Sequence, residues 1–311
     1  MNRAIVFGAN GNVGLAIVKS LLNHNVETLA LSRHTENLDT INNDLLKSVV
    51  VSADELPMID GNSLLVNFVR GHDCVFYYTA WKGHDRLRDG TLDEQMKNVT
   101  YASDAIILAS KLGCSKFVYV GTQDEAIFEY YLKDEWKNTA CPEHDVNYMS
   151  AKLAARDMNL LISYLNKIDY VHTRFSVVIN KDLNGVGFVP NTLKKIMNKE
   201  TYPEVFNQNP MEIISLEELA ESYYHIGMNG KNKANYYLGC GDVDTIANFF
   251  TRFDALLNGK EVCSSCLKQN NFDDELLKSF DSTQLFEDTN FKFKKNFNEF
   301  AKEIISKWRA L

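Results

Sequence analysis

The sequence predicts an α/β protein with a doubly wound parallel sheet and a smaller lobe in its C-terminal part. Short apolar runs typical of buried strands alternate with helix-like runs, beginning with the strand Arg3–Phe7 and the helix Leu15–Asn23. A glycine-rich turn joins these two elements. With 311 residues, the chain can bury one large core and carry an appended lobe.

The turn after the first strand has three glycines at intervals of three residues. Such glycines allow a tight turn and a close approach of the backbone to a pyrophosphate, which the helix N-terminal amides then face. In its strand–turn–helix context the turn predicts a dinucleotide-binding loop of a Rossmann-like fold, with a plain glycine-rich turn as the alternative. The loop residues predicted to bind the cofactor are Gly8, Asn10, Gly11, Asn12, Val13 and Gly14.

A second motif lies in the helix-like run Tyr148–Asn166, where Tyr148 and Lys152 are four positions apart. In a helix this spacing places both side chains on nearly the same face. An ammonium about 5 Å from a phenol, at an effective dielectric of about 20, stabilises the phenolate by about 3 kcal/mol, or about two pKa units. The pair therefore predicts a tyrosine that exchanges a proton with a carbonyl or alcohol oxygen. The alternative is a core tyrosine beside a solvated lysine.

These motifs resemble those of the extended short-chain dehydrogenase/reductase family of NAD-dependent epimerases and dehydratases. The resemblance covers nearly the whole chain. It places Thr122, after the fifth strand, at the catalytic hydroxyl, and it matches Tyr148 and Lys152 to the family's Tyr-x-x-x-Lys pair. Asn98 resembles the asparagine that the family often has before the next helix, here predicted at Tyr101–Leu112.

The end of the second strand, Val26–Leu31, indicates which dinucleotide binds. NAD-preferring members of the family usually end this strand with an acid that binds the adenosine ribose. Here Ser32 and Arg33 follow the strand, and the first acid, Glu36, comes later. A hydroxyl and a guanidinium suit a 2′-phosphate, which favours NADP(H). The alternative is NAD(H), with Arg33 stacked on the adenine.

Residues after two further strands are also predicted to lie at the cofactor. Asp54 follows the strand Lys47–Ser52 and lies either near the adenine or in a solvated turn. The strand Asp73–Thr79 ends in Thr79, Ala80 and Trp81, which we expect to line the cofactor cleft, with Thr79 and Ala80 as binding residues.

The resemblance also implies a substrate site. The loop after the fourth strand carries Lys82 and His84 among four possible cations, which either attract a phosphorylated substrate or form a solvated surface. Sugar-nucleotide dehydratases usually carry Thr-Asp-Glu after the fifth strand, where this chain has Gln123 and Asp124 in the two acidic positions. An amide cannot donate a catalytic proton, which disfavours dehydration. Arg174 alone is kept from the family's motif after the sixth strand.

The resemblance therefore implies an NADP(H)-dependent oxidoreductase that acts on a sugar nucleotide, most simply by reducing a 4-keto sugar or by the reverse oxidation. Tyr148 is expected to transfer the proton, Lys152 to lower its pKa and hold the nicotinamide ribose, and Thr122 to hydrogen-bond the reacting oxygen. The alternatives are a 4-epimerase that keeps NAD bound and a non-catalytic dinucleotide-binding regulator.

Composition narrows the possible partners and location. A net charge of −8 and a pI near 5.4 argue against a nucleic-acid-binding surface. No run approaches the roughly 18 apolar residues of a membrane span. Six scattered cysteines suggest reduced thiols in the cytoplasm. The pair Cys263 and Cys266 lacks partners at zinc-site spacing, so we expect no metal.

We expect a dinucleotide-binding domain at residues 1–176 and a substrate-binding lobe at 177–311, with at least one strand and helix of the lobe returning to the core. Helices Asn98–Leu112 and Ala151–Asn166 are apolar on more than one face. The resemblance implies that they pair into a homodimer, and a covering by the C-terminal lobe is the alternative. Further lobe elements are predicted at Asn191–Asn198, Met211–Ala220, Asn235–Gly239, Thr245–Leu257 and Phe297–Trp308.

Overall fold

A computed structural model describes residues 1–81, 91–133, 146–185, 187–205, 208–262 and 267–310. Its strands are β1 Arg3–Phe7, β2 Glu27–Ser32, β3 Leu46–Val50, β4 Cys74–Tyr78, β5 Lys116–Val120, β6 Asp169–Arg174, β7 Val177–Ile179, β8 Ile213–Ser215 and β9 Asn235–Tyr237. Within these ranges, one parallel sheet has the order β3-β2-β1-β4-β5-β6-β9, and β7 pairs with β8 in a second.

Helices connect the strands and cover both faces of the main sheet. They are α1 Asn12–Asn23, α2 Ser63–Val69, α3 Leu92–Leu112, α4 Asp124–Lys133, α5 Val146–Asn166, α6 Phe188–Met197, α7 Leu216–Asn229, α8 Ile246–Leu257, α9 Asp274–Lys278, α10 Thr283–Thr289 and α11 Phe297–Arg309. One face of the sheet packs on α1 and α7, around Ile17 and Leu219. The other packs on α2 and α3, around Leu65 and Ile106. The predicted doubly wound Rossmann-like fold is confirmed.

The central strands have the composition that this arrangement requires. Every residue of β4 and β5 is buried, because helices cover both faces of a parallel sheet and leave little room for polar side chains. Lys116 is the one charged residue of these two strands, and its buried ammonium donates to the carbonyls of Ile226 and Gly227 on α7 at 3.2 and 3.0 Å. A charged residue inside the sheet thus also fastens a helix to it.

The C-terminal part forms its own core and also returns to the main sheet. Helices α6, α8 and α11 surround a cluster that includes Leu193, Phe249 and Phe300. Strand β9 pairs with β6 at the edge of the main sheet, and α7 packs against α1. One strand and one helix of this part, β9 and α7, therefore belong to the main sheet and to the helical layer that covers it.

Several boundaries differ from the sequence-based expectations. Asn98 lies inside α3 and not before it, because Thr91 and Glu94 form a capping box that starts the helix earlier. Helix α5 also starts earlier, so Tyr148 lies within its first turn. The short helices α2, α4, α9 and α10 were not predicted, since their amphipathic patterns span too few residues to be distinguished from loops.

We expect Gly227→Ala to test how closely α7 packs on the sheet. A Cβ at Gly227 would overlap the hydroxyl oxygen of Tyr77, which donates to the carbonyl of Tyr223 at 3.1 Å. Overpacking should cost about 1–3 kcal/mol against a gain of about 1 kcal/mol in helix propensity, so the free energy of unfolding should fall by up to about 2 kcal/mol. Urea denaturation measures this change.

The matched control is Gly61→Ala, where a Cβ meets no atom within 4 Å. This variant should change the free energy of unfolding by no more than about 0.5 kcal/mol. A Gly227→Ala protein as stable as the control would show that α7 can shift away from the sheet at no cost.

Candidate active site

The loop between β1 and α1 is shaped by its glycines. Gly8 has a φ of +88°, and a Cβ there would lie 2.6 Å from Oγ1 of Thr79. A Cβ on Gly14 would overlap the carbonyl oxygen of Gly8. The N-cap of α1 is Gly11, which has no side chain to cap the first amides. The loop therefore leaves a helix N-terminus for an anion and a backbone cradle that a Cβ would fill, which fits the pyrophosphate of a dinucleotide.

A cavity of about 240 Å³ adjoins this loop. Its lining includes eight of the residues predicted to bind the cofactor, together with Trp81 and Tyr101. The eight are Gly8, Gly11, Ser32, Arg33, Asp54, Thr79, Ala80 and Asn98. Strands β1, β2 and β4 thus bring their carboxyl ends to one space, as parallel neighbours in a sheet must.

The other predicted loop residues lie beside this cavity. Asn12 and Val13 lie in the first turn of α1, where Asn12 is exposed and Val13 is partly buried. The Asn10 side chain donates to Oε2 of Glu36 at 3.2 Å and accepts from the amide of Asn37 at 2.9 Å. Asn10 therefore hydrogen-bonds to the loop after β2, and the sequence did not predict these contacts.

Tyr148 and Lys152 come together near the end of β5. The Lys152 ammonium donates to the carbonyl oxygen of Val120 at 2.9 Å, and it lies 5.8 Å from the Tyr148 ring centre. It also lies 3.9 Å from the ring centre of Trp81, which meets the Tyr148 ring edge-on at 5.9 Å. Because Trp81 also lines the cavity, Tyr148 and Lys152 lie next to a residue of the cavity wall.

Lys152 is 4 % exposed, and its burial lowers the pKa of the ammonium to about 7. The carboxylate of Glu125 opposes this shift. Lys152 can therefore change its charge near neutral pH, unlike an exposed lysine, whose pKa is about 10.4.

Thr122 lies two residues beyond the end of β5 and begins the turn into α4. Its hydroxyl donates to Oδ2 of Asp124 at 3.1 Å and accepts from the Asp124 amide at 3.3 Å. The Thr122 amide donates to Oε1 of Glu125 at 2.9 Å. Two acidic side chains at the start of α4 thus fix both the hydroxyl and the backbone of Thr122.

Gln123 and Arg174 contact each other. Gln123 is 1 % exposed, its oxygen accepts from Arg174 at 3.1 Å, and its nitrogen donates to the Ser279 hydroxyl at 2.7 Å. Arg174 also donates to Oδ1 of Asn235 at 2.9 Å. These two predicted substrate residues therefore join the end of β5 and β6 to the C-terminal part of the chain.

Two other predicted substrate residues, Lys82 and His84, lie outside the described residues, as do Cys263 and Cys266. Across the ranges that the structure describes, His, Cys, Asp and Glu side chains form no group of three or more that could hold a metal ion. None of the helices in those ranges combines the length and the apolar character needed to cross a membrane.

The sequence-based prediction missed the buried pair Glu125 and His172. Glu125 lies at the start of α4, and His172 lies in the apolar strand β6. Their nearest side-chain atoms are 2.9 Å apart, and neither residue is more than 2 % exposed. A histidine within an apolar strand was the available signal, but its partner comes from another element and no local pattern identifies it.

The fold and the glycine loop define a dinucleotide-binding α/β protein. A comparison with family models then identifies it more closely. The model of the NAD dependent epimerase/dehydratase family matches residues 4–238. The chain belongs to this family, in agreement with the resemblance in its motifs.

Solved structures similar to this one include sugar-nucleotide epimerases. The UDP-N-acetylglucosamine 4-epimerase of Bacillus cereus has a TM-score of 0.72 and 17 % identity, covering 100 % of this chain and 98 % of that one. The Thermotoga maritima UDP-glucose 4-epimerase with UDP-glucose has a TM-score of 0.72, 14 % identity and 99 % coverage of both chains. Bordetella bronchiseptica WbmF with NADH has a TM-score of 0.71 and 14 % identity, covering 99 % and 92 %. No curated protein matches the sequence.

Proposed function

We propose that this protein catalyses dinucleotide-dependent oxidation or reduction at C4 of a sugar nucleotide, most simply the reduction of a 4-keto sugar. One observation carries the proposal. Lys152 lies next to Tyr148 and donates to the last residue of β5, close to the cavity at the glycine loop. Membership of the epimerase/dehydratase family supports the same class of reaction.

In this proposal Tyr148 exchanges a proton with the sugar oxygen, and the Lys152 ammonium stabilises the phenolate that forms. Thr122 hydrogen-bonds the same oxygen by redirecting the O–H that donates to Asp124 at 3.1 Å in the structure. The glycine loop holds the pyrophosphate of the dinucleotide, and Lys152 holds the nicotinamide ribose. When bound, the dinucleotide supplies or accepts the hydride.

The contacts of Gln123 disfavour water elimination. Both polar ends of its amide are engaged, with Arg174 on one side and Ser279 on the other. An amide has no acidic proton to give to a departing hydroxyl. Elimination requires one group that removes a proton and another that donates one. Of the two positions that resemble the dehydratases, Asp124 alone is an acid, so half of this pair is missing.

A second candidate function is 4-epimerisation with NAD retained between turnovers. The B. cereus and T. maritima structures that resemble this chain along nearly its whole length are both 4-epimerases. The same side chains serve this reaction, since an epimerase also removes and returns one proton and one hydride. A non-catalytic regulator is the weaker alternative, because sensing a dinucleotide does not require a proton donor beside a buried lysine.

Mass spectrometry of incubations with GDP-, CDP-, UDP- and dTDP-hexoses and their 4-keto-6-deoxy derivatives tests the reaction type. We expect either a gain of two hydrogens on 4-keto substrates or interconversion of isomers of equal mass, which chromatographic separation before the mass measurement distinguishes from no reaction. Tyr148→Phe should keep dinucleotide affinity but reduce turnover by about 100-fold or more, because the ring still packs while the proton is lost. A product lighter by one water would refute the proposal, and so would full turnover by Tyr148→Phe.

We also propose that NADP(H) is the preferred dinucleotide. Ser32 and Arg33 line the cavity, whereas the nearest acid after β2, Glu36, is 73 % exposed and accepts from Asn10. NAD bound to structures such as WbmF shows that the fold also accepts the nucleotide without the phosphate. The preference for NADP(H) over NAD(H) therefore depends on whether the Arg33 guanidinium binds a 2′-phosphate.

Titrating NADPH and NADH by fluorescence tests this preference. We expect NADPH to bind more tightly and Arg33→Ala to weaken NADPH by about 10-fold or more, since hydrogen bonds to charged groups contribute about 1.5–3 kcal/mol. NADH affinity should change little. The control is Arg70→Ala, an exposed arginine at the end of α2 that should leave both affinities unchanged. Equal or tighter binding of NADH would refute the preference and favour the epimerase.

We propose that residues 177–311 form the substrate-binding lobe over the core of residues 1–176. Support comes from the Gln123 and Arg174 contacts with Ser279, which join the end of β5 and β6 to the segment after α9. A sugar nucleotide held between the two parts would then lie beside Thr122.

We further propose a homodimer in which α5, with α3, packs against its copy. The outer face of α5 exposes Leu161, Tyr164 and Leu165 at 56, 71 and 66 %. The described part of the C-terminal lobe therefore leaves this face accessible. A contiguous apolar surface of this kind is typical of a protein–protein interface.

Light scattering after gel filtration tests the dimer. The wild type should have twice the 35.4 kDa mass of the chain, and Leu161→Glu with Leu165→Glu should yield monomers because two carboxylates cannot be buried unpaired in the interface. The control is Leu132→Glu on α4, which is 62 % exposed and outside this face. A monomeric wild type, or a double variant that stays dimeric, would refute the arrangement.

A further inference from the structure

Two buried titratable side chains, Glu125 and His172, lie next to the short segment that contains Thr122. Glu125 is 0 % exposed, and its Oε1 accepts from the amide of Thr122 at 2.9 Å. Its Oε2 lies 2.9 Å from Nε2 of His172, but the two atoms are out of line for a hydrogen bond. Glu125 and His172 are therefore in direct contact inside the protein.

The segment 120–122 connects this carboxylate with the ammonium of Lys152. At one end the carbonyl of Val120 accepts from Lys152, and at the other the amide of Thr122 donates to Glu125. Between them, a Cβ on Gly121 would lie within 2.7 Å of Nε2 of His172 and would also meet Glu125. The absence of a side chain at this position allows the acid and the histidine to pack directly against the end of β5.

The charges of Glu125 and Lys152 act on each other's pKa. Burial alone would raise the pKa of the Glu125 carboxyl, yet His172, Lys152 and the Thr122 amide hold it below the usual range. Burial of Lys152 acts in the opposite sense on the ammonium, and Glu125 opposes it. The titratable and charged groups around Glu125 are Tyr119 on β5, Tyr170, His172 and Arg174 on β6, and Lys152 and Arg156 on α5.

We propose that Glu125 is a positioning residue for the reaction, whose buried carboxylate keeps Lys152 charged and holds the backbone of Thr122 in place. Its effect on turnover rests on the proposed function, whereas its effect on Lys152 does not. Without the carboxylate, a buried ammonium with one carbonyl acceptor loses its proton more readily. A neutral Lys152 then no longer stabilises the Tyr148 phenolate.

The test follows the charge of Lys152 directly, without substrate. The protein is labelled with ¹⁵N-lysine, and the Nζ signal of Lys152, identified by its loss in Lys152→Met, is titrated with pH. Glu125→Gln keeps the size and the acceptor for the Thr122 amide but removes the charge. We expect the pKa of Lys152 to fall by about one unit or more in this variant, as loss of a close opposite charge does.

Two matched variants separate charge from packing. Glu125→Asp keeps the charge and should restore most of the wild-type pKa of Lys152. Glu129→Gln removes an acid one turn further along α4, where it pairs with Arg156 at 2.8 Å and is 43 % exposed, and it should leave Lys152 unchanged. An unchanged pKa in Glu125→Gln, or an equal shift in Glu129→Gln, would overturn the proposal.

If Glu125→Gln does not fold, the double variant Glu125→Met with His172→Leu replaces it. Replacing both partners of a buried polar contact by apolar residues of similar shape can be nearly neutral, and the same fall in the pKa of Lys152 is expected. In steady-state assays, Glu125→Gln should lower kcat with little change in KM. If no sugar nucleotide is turned over, the proposed function fails, while the titration still decides whether Glu125 supports Lys152.

Discussion

The hydrogen bond from Lys152 to the carbonyl of Val120 is the contact on which the candidate site depends. It joins α5 to the end of β5 at 2.9 Å and fixes where the first turns of α5 lie relative to the sheet. Tyr148, one helical turn earlier, takes its place beside Trp81 as a consequence. A lysine that is 4 % exposed must have such a partner, since an unpaired buried ammonium costs several kcal/mol.

The location of the site follows from the strand order. In the sequence β3-β2-β1-β4-β5-β6-β9, the chain moves outward from β1 in one direction and from β4 in the other. The helices that follow β1 and β4, α1 and α3, lie on opposite faces of the sheet. This arrangement opens a crevice at the carboxyl ends of the two strands. At the base of this crevice the Thr79 hydroxyl donates to the carbonyl of Phe7 at 2.9 Å. Gly8 can lie this close to Thr79 because Gly8 has no Cβ.

The sequence predicts those features that depend on local spacing. The glycine loop, the strands beside it and the Tyr148–Lys152 pair all follow from residues close together in the chain. Contacts between distant segments were not predictable in this way. Glu125 looks like an ordinary acid at a helix start, and only the packing of α4 on β6 brings it to His172. Asn98 was expected before its helix, because a capping box seven residues upstream was not recognised.

The buried polar groups around Glu125 are costly for stability, which is consistent with the role proposed for them in the reaction. An apolar core at this position would avoid the desolvation of Glu125, His172 and Lys152, and such replacements often stabilise proteins. Here Gly121 leaves room for Glu125 and His172. The backbone on either side of Gly121 contacts Glu125 through the Thr122 amide and Lys152 through the Val120 carbonyl. Charged groups with perturbed pKa values beside a cleft are the usual arrangement of an active site. In the proposed function, this polar cluster is the support that keeps Lys152 charged beside Tyr148.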